Sequence, residues 1–264
     1  MSEFLSQAEA VATQAAREAG KLALKYFRHD IAVEVKEGNP RNVVTAADKE
    51  ADSLIRKLLQ EKFPDHSIVT EEDKPKKGSE YVWYVDPIDG TTNFSRGASY
   101  FCTSIALAKE SELLVGVVYS PVFSELYTAI RGKGAFLNGK RIRVSGTANL
   151  SQAVFSCDLG YNSPERESTL KVLRHLEPIV RGFRMKGSGA LASCELAAGR
   201  ADCHMDAKST HWDYAAAALI VREAGGKATD LQGNEWKPDS KAGYIAGNAR
   251  FHGKLIDELR AALK

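Results

Sequence analysis

The run Asp86-Pro87-Ile88-Asp89-Gly90-Thr91-Thr92-Asn93-Phe94 constrains this chain more than any other segment, because it follows directly on the apolar stretch Tyr81-Val82-Trp83-Tyr84-Val85. The apolar stretch reads as a buried strand, and Pro87, which lacks a backbone donor, is expected to stop it. Two carboxylates then leave a strand end three residues apart, with the Ile88 carbonyl between them. Hard divalent cations such as Mg²⁺ take such oxygen sets and leave room for water and phosphate. Gly90 permits a tight turn. Thr91 and Thr92 add hydroxyls and peptide N–H groups where a helix could begin, and a helix start attracts phosphate. Taken alone, Asp-x-x-Asp-Gly serves equally well as a capped strand-to-helix turn.

A chain of 264 residues can bury a substantial core without staples. Lys plus Arg (36) nearly balances Asp plus Glu (34), so net charge gives no argument for a nucleic-acid or membrane partner. Cys102, Cys157, Cys194 and Cys203 are widely spaced without a Cys-x-x-Cys pair. They read as reduced, buried thiols in a cytoplasmic protein. The charged, alanine-rich N-terminal segment does not resemble a signal peptide or a membrane span.

Apolar spacing predicts a long amphipathic helix from Ser2 to about Arg28, a short strand over Ile31–Lys36, and a polar loop to Asn42. A helix from about Ala46 to Phe63 follows, ended by Pro64, and a strand at Ser67–Thr70 delivers Glu71 and Glu72. Three strands, Phe101–Ala108, Leu113–Tyr119 and Glu125–Ala129, precede an Asn138-Gly139 hairpin turn. Beyond about Ser145 the pattern alternates. A strand at Ala153–Asp158 leads to a helix from Pro164 capped by Ser163. A helix at Ser188–Ala198, a strand near Asp202–Met205, a helix at His211–Ala224 and a closing helix at Ala249–Leu263 complete the chain. The change of texture divides it into residues 1–147 and 148–264, two halves packed as one unit. The basic stretch from Arg131 to Arg143 reads as a solvated strand face, and Lys74–Lys77 as a solvated loop.

The nine-residue run, together with Asn42-Val43-Val44-Thr45-Ala46-Ala47-Asp48, Glu71-Glu72, Gly134-Ala135-Phe136-Leu137-Asn138-Gly139, Gly187-Ser188-Gly189-Ala190-Leu191 and Trp212-Asp213-Tyr214-Ala215-Ala216, resembles the inositol monophosphatase family of Mg²⁺-dependent phosphatases. The matching segments occur in order over nearly the whole chain. The resemblance implies a mixed α/β (α+β) fold, a layered α-β-α-β-α sandwich of the inositol monophosphatase and fructose-1,6-bisphosphatase type. It implies two or three Mg²⁺ ions, or Mn²⁺ in their place. Glu71, Asp86 and the Ile88 carbonyl would hold one ion, and Asp86, Asp89 and Asp213 a second. Glu71 with Thr91 would orient the attacking water, with Asp48 as a hydrogen-bond partner of Thr91. Alone, Asp48 also reads as the N-cap of a helix over Lys49–Leu59, Asp213 as a complement to a helix dipole, and Lys36 as either a mobile-loop lysine near the metals or a solvated one. His211 reads as a surface or capping residue.

The resemblance further implies a substrate pocket built from Asp89, Gly90, Thr91, Thr92, Ser188, Gly189, Asp206 and Asp213. Two departures touch this pocket. Asp206 stands where the family's inositol phosphatases carry a glutamate that grips ring hydroxyls, and Ser188-Gly189-Ala190 replaces Ser-Ala-Ala. The implied activity is hydrolysis of small phosphate monoesters, foremost myo-inositol 1-phosphate, by a lithium-sensitive homodimer with no nucleic-acid or membrane partner. Related branches hydrolyse fructose 1,6-bisphosphate, histidinol phosphate or 3′-phosphoadenosine 5′-phosphate. Some bacterial relatives act by binding transcription machinery.

Overall fold

The structure is a computed structural model that describes residues 2–72, 79–240 and 242–264. Helix α1 (Ser2–Tyr26) leads through β1 (Val33–Val35) and β2 (Val43–Thr45) to α2 (Ala46–Lys62), then β3 (Ser67–Thr70), β4 (Tyr81–Asp89) and the short α3 (Thr91–Ser95). Strands β5 (Cys102–Lys109), β6 (Glu112–Ser120), β7 (Glu125–Ile130), β8 (Gly134–Leu137) and β9 (Lys140–Arg141) follow. The remainder is β10 (Val154–Cys157), α4 (Ser163–Leu176), β11 (Gly182–Arg184), α5 (Gly189–Ala197), β12 (Cys203–Asp206), α6 (His211–Glu223), β13 (Gly226–Thr229), β14 (Tyr244–Asn248) and α7 (His252–Ala262).

Among the described residues the strands form a seven-stranded sheet in the order β3-β4-β5-β6-β7-β8-β9, a five-stranded sheet β11-β10-β12-β14-β13, and the ribbon β1-β2. Helices α1 and α2 cover one face of the larger sheet, where Ala8, Ala12, Ala15, Ala19, Ile55 and Leu59 pack on Trp83, Val115 and Val117. The alanine stripe of α1 recurs every three or four residues, and its small side chains let the helix lie close to the strands. Helices α5 and α6 fill the space between the sheets, with Ala215–Val221 buried among residues of both. Helices α4 and α7 close the far side over Phe155, Cys203 and Ile245. The layering is α-β-α-β-α, as expected.

Local expectations met several corrections. Pro87 does not end its strand. β4 runs on to Asp89, and the pairing with β5 shifts register between Asp86 and Asp89. This irregularity absorbs the missing donor of Pro87, whose carbonyl accepts from Thr103 Oγ1 at 2.8 Å. The N-cap of α4 is Asn162, not Ser163, because Asn162 and Glu165 form a reciprocal capping box. Asp48 is not an N-cap either. It lies in the first turn of α2, and Thr45 caps that helix. The short strands β2, β11, β13 and β14 escaped sequence reading, whereas α3 begins at Thr91, where a helix start is expected; β14 (Tyr-Ile-Ala-Gly-Asn) is buried at every position and so shows no alternation. The Asn138-Gly139 turn holds, with both residues at positive φ (48° and 76°) between the paired Leu137 and Lys140. Lys74–Lys77 lie outside the described residues.

Candidate active site

Strands β3 and β4 run parallel with Thr70 opposite Val85, so their C-terminal ends meet at one sheet edge. Glu71 thereby emerges beside Asp86, and its N–H donates to the Val85 carbonyl at 3.3 Å. The starts of α5 and α6 arrive at the same edge from the second half of the chain. Asp89 joins the start of α5: its Oδ2 accepts from Ser188 Oγ (2.5 Å), the Ala190 N–H (2.9 Å) and Cys102 Sγ (3.6 Å). Asp213 lies in the first turn of α6, which the Trp212 carbonyl ties to Ser104 Oγ on β5 at 3.2 Å.

The electrostatics follow from burial. Asp86 is pushed well above the usual carboxylate range by burial, then by the charges of Glu71, Asp89, Asp213 and Asp48. Burial and the charges of Asp89 and Glu71 do the same to Asp213. Burial pushes Asp89 up to about 6, against the bonds from Ser188, Ala190 and Cys102. Lys36 bridges the neighbouring acids, with Nζ 2.8 Å from Glu71 Oε1 and 2.5 Å from Glu72 Oε1. Burial alone would lower the Lys36 pKa, but the two glutamates overcome this and raise it. Lys36 is thus a salt-bridged residue of the site and not a solvated one.

Thr91 Oγ1 lies 2.9 Å from Asp48 Oδ1 and 3.0 Å from the Ile88 carbonyl, and its one proton serves these acceptors in turn. The other carboxylate oxygen of Asp48 accepts from the N–H (2.9 Å) and Oγ1 (2.5 Å) of Thr45. One acid therefore fixes both the start of α2 and the Thr91 hydroxyl. Gly90 sits at φ 95°, and a Cβ there would stand 3.0 Å from the Gly187 carbonyl and 3.1 Å from that of Tyr100, so only glycine fits. Thr92 is exposed on α3. Asp206 ends β12, with Oδ2 accepting from Tyr214 Oη at 2.9 Å and Oδ1 from the Lys208 N–H at 3.2 Å. His211 stands outside this set, packed against Tyr84 and Trp212.

Two residues at the site were not singled out from sequence. Asn93 Nδ2 clamps the turn by donating to the carbonyls of Tyr100 and Lys186, each at 2.7 Å. Tyr161 is half-exposed, and partial desolvation followed by the charges of Asp213, Glu71, Asp89 and Asp86 raises its phenol pKa. Asn93 carries a detectable signal, since it lies inside the nine-residue run. Tyr161 lies in a loop without periodicity and carries none.

A sequence profile of the inositol monophosphatase family matches residues 5–264. The chain belongs to that family. It is 39% identical to inositol monophosphatase 2 of Solanum lycopersicum over 268 residues, covering 98% of each protein. It is 36% identical to the Nus factor SuhB of Escherichia coli K12, covering 96% of this chain and 97% of SuhB. The solved structure of inositol monophosphatase from Anabaena superposes with a TM-score of 0.87 at 31% identity, covering 98% of this chain and 97% of that one. The protein is accordingly a phosphoric monoester hydrolase of a Mg²⁺-dependent family.

The donor chemistry here fits that metal. Asp86, Asp89, Asp213, Glu71 and the Ile88 carbonyl offer only hard oxygens, and the repulsion among the buried acids is what a divalent cation relieves. Among the described residues, no three of His, Cys, Asp or Glu are grouped so as to hold an ion as they stand. Lys36 and Ser188 meanwhile engage Glu71 and Asp89. No helix among the described residues is long and apolar enough to cross a membrane.

Proposed function

We propose that this protein hydrolyses the phosphate monoesters of small polyols, myo-inositol 1-phosphate foremost, as a cytoplasmic homodimer sensitive to Li⁺. Residues 1–147 carry most of the metal ligands, and residues 148–264 contribute Asp213 and the pocket that receives the alcohol. Glu71, Asp86, the Ile88 carbonyl, Asp89 and Asp213 hold two or three Mg²⁺ ions, with Mn²⁺ as a substitute. When bound, such ions shield the phosphate's charge and stabilise the leaving oxygen. The observation that carries this reading is the convergence and mutual repulsion of the buried Asp86 and Asp89 with the half-buried Asp213, acids from two distant segments.

The chain's own groups take the remaining tasks. Glu71 accepts a hydrogen bond from the attacking water. The Thr91 hydroxyl, donating to Asp48, turns a lone pair towards that water. Gly90, Thr91 and Thr92 present their N–H groups to the phosphate. Ser188 and Gly189 hold the Asp89 side of the pocket, and Asp206 accepts from hydroxyls of the alcohol.

The test is Mg²⁺-dependent phosphate release from myo-inositol 1-phosphate, fructose 1,6-bisphosphate, histidinol phosphate and 3′-phosphoadenosine 5′-phosphate, with and without Li⁺, beside Asp89→Asn. Preference for the inositol ester, abolished in the variant, supports the reading; preference for another ester moves the protein to that branch. The 36% identity to a Nus factor favours a second role in binding a macromolecule. A cellular phenotype that persists in Asp89→Asn after activity is lost would establish it.

A further inference from the structure

The two departures from the family pattern, Asp206 and Gly189, meet in space at a third residue, Tyr214. Its hydroxyl lies 2.9 Å from Asp206 Oδ2. A Cβ on Gly189 would collide with that same hydroxyl, and would stand 2.7 Å from the ring carbon bearing it. The backbone of Gly189 is in ordinary helical conformation, so the glycine is needed for space and not for a special φ.

The hydroxyl is anchored from behind as well. His204 Nε2 lies 3.3 Å from Tyr214 Oη, and His204 Nδ1 lies 3.1 Å from Ser156 Oγ. Ser156 and His204 are paired across β10 and β12. Burial pushes the Asp206 carboxyl up to about 7, and above that pH it is ionised and only accepts, which sets the direction of the whole chain. Ser156 Oγ–H donates to His204 Nδ1, His204 Nε2–H donates to Tyr214 Oη, and Tyr214 O–H donates to Asp206 Oδ2. The Tyr214 ring is stacked on Tyr244 with centroids 4.1 Å apart, so the donor is held by packing as well as by hydrogen bonds.

Resting on the polyol-phosphatase reading, we infer that Tyr214 is a positioning residue for alcohol recognition. It compensates for the short side chain of Asp206 by locking that carboxylate in one orientation, and Gly189 supplies the space it requires. A longer glutamate reaches ligand hydroxyls by its own length. An aspartate one methylene shorter must be aimed, and its remaining lone pairs then accept from two hydroxyls of a cyclic or linear polyol. The three residues form one specificity unit, drawn from α5, β12 and α6, that acts on the alcohol and not on the phosphate.

Tyr214→Phe tests this with myo-inositol 1-phosphate and p-nitrophenyl phosphate, the second of which has no alcohol hydroxyls to be recognised. KM for the inositol ester is expected to rise about tenfold, the order of one lost hydrogen bond to a charged group. The kcat for that ester and both constants for the aryl ester should change by less than about twofold. Gly189→Ala crowds the same hydroxyl and should also raise KM for the inositol ester, and the double variant should raise it no further than the worse single one, because both act on one contact. Equal losses on both esters would mean a merely structural role and overturn the inference, as would an unmoved KM for the inositol ester. Wild-type protein that hydrolyses the aryl ester and no polyol ester would sink the polyol reading, and this inference with it.

Discussion

Gly116 on β6 is the point where the central sheet and α6 touch backbone to backbone, and Gly116→Ala should loosen both the fold and the site. A Cβ at this position would stand 2.7 Å from the Ala216 carbonyl oxygen and 3.2 Å from its Cα, whereas ordinary contact begins near 3.4 Å. The methyl therefore demands about 0.7 Å of separation from atoms that cannot rotate away. Gly116 has no positive φ, so steric overlap is the only cost. Overpacking of this kind costs about 1–3 kcal/mol, offset by about 0.5–1 kcal/mol because alanine loses less backbone entropy than glycine. A net loss of about 1–2 kcal/mol is expected in urea unfolding. Ala216 lies one turn from Asp213, and the Ser104–Trp212 bond resists the shift at that end of the helix. A displaced Asp213 should lower kcat/KM at limiting Mg²⁺ by about tenfold, with partial recovery at high Mg²⁺. Gly146→Ala serves as control: a Cβ there meets nothing within 4 Å, so its stability should change by less than about 0.5 kcal/mol. If Gly116→Ala unfolds at the same urea concentration as that control and keeps the wild-type Mg²⁺ response, the argument that this contact sets the height of α6 is wrong.

Three further outcomes follow from the site and its surroundings. Thr91→Val keeps the shape but removes the hydroxyl that contacts Asp48, so steady-state assays should show kcat lower by about 100-fold or more, while Thr91→Ser retains most activity. Mg²⁺ at about 100 times its dissociation constant should stabilise the protein by about 2.7 kcal/mol, read as a rise in Tm that Asp89→Asn diminishes. His252, buried against Thr229, has its pKa pushed down to about 4 by burial and Lys227. The unfolded chain, titrating near 6.5, therefore binds the extra proton between pH 6.5 and 4. Stability falls as pH drops through that window, by about 2 kcal/mol between pH 8 and 5 from this group. His252→Gln should flatten the pH profile of urea unfolding by that amount; an unchanged profile would refute the assignment.

Some of this was legible in the chain alone because it is local. Helix α1 declares itself through alanines every three or four residues, β3 through four residues ahead of the acids, and the β8–β9 turn through Asn138-Gly139. The acids Asp86 and Asp89 and the hydroxyl of Thr91 sit within six residues, so a single run announces them. Where local rules misled, a tertiary contact had overruled them. Pro87 should end a strand by withholding a donor, but β5 accommodates it with a register shift. Asp48 has the composition of a cap, yet one of its oxygens serves Thr45 and the other serves Thr91, forty-three residues away.

By itself the sequence determined the longer local elements and the chemistry on offer: which of the longer segments are helix or strand, which faces are apolar, and that hard oxygen donors cluster at the end of β4. These depend on spacings of two to four residues, which backbone geometry fixes without reference to the rest of the chain. Only the tertiary structure decided which acids share a site. The parallel pairing of β3 with β4 sets Glu71 beside Asp86, and the height of α6 above the sheet brings Asp213 to them across more than a hundred residues. The same holds for Asp206, Tyr214, His204 and Gly189, which come from three elements and show no common pattern along the chain. Their coupling arises from sub-ångström packing between layers, a quantity that no local spacing encodes.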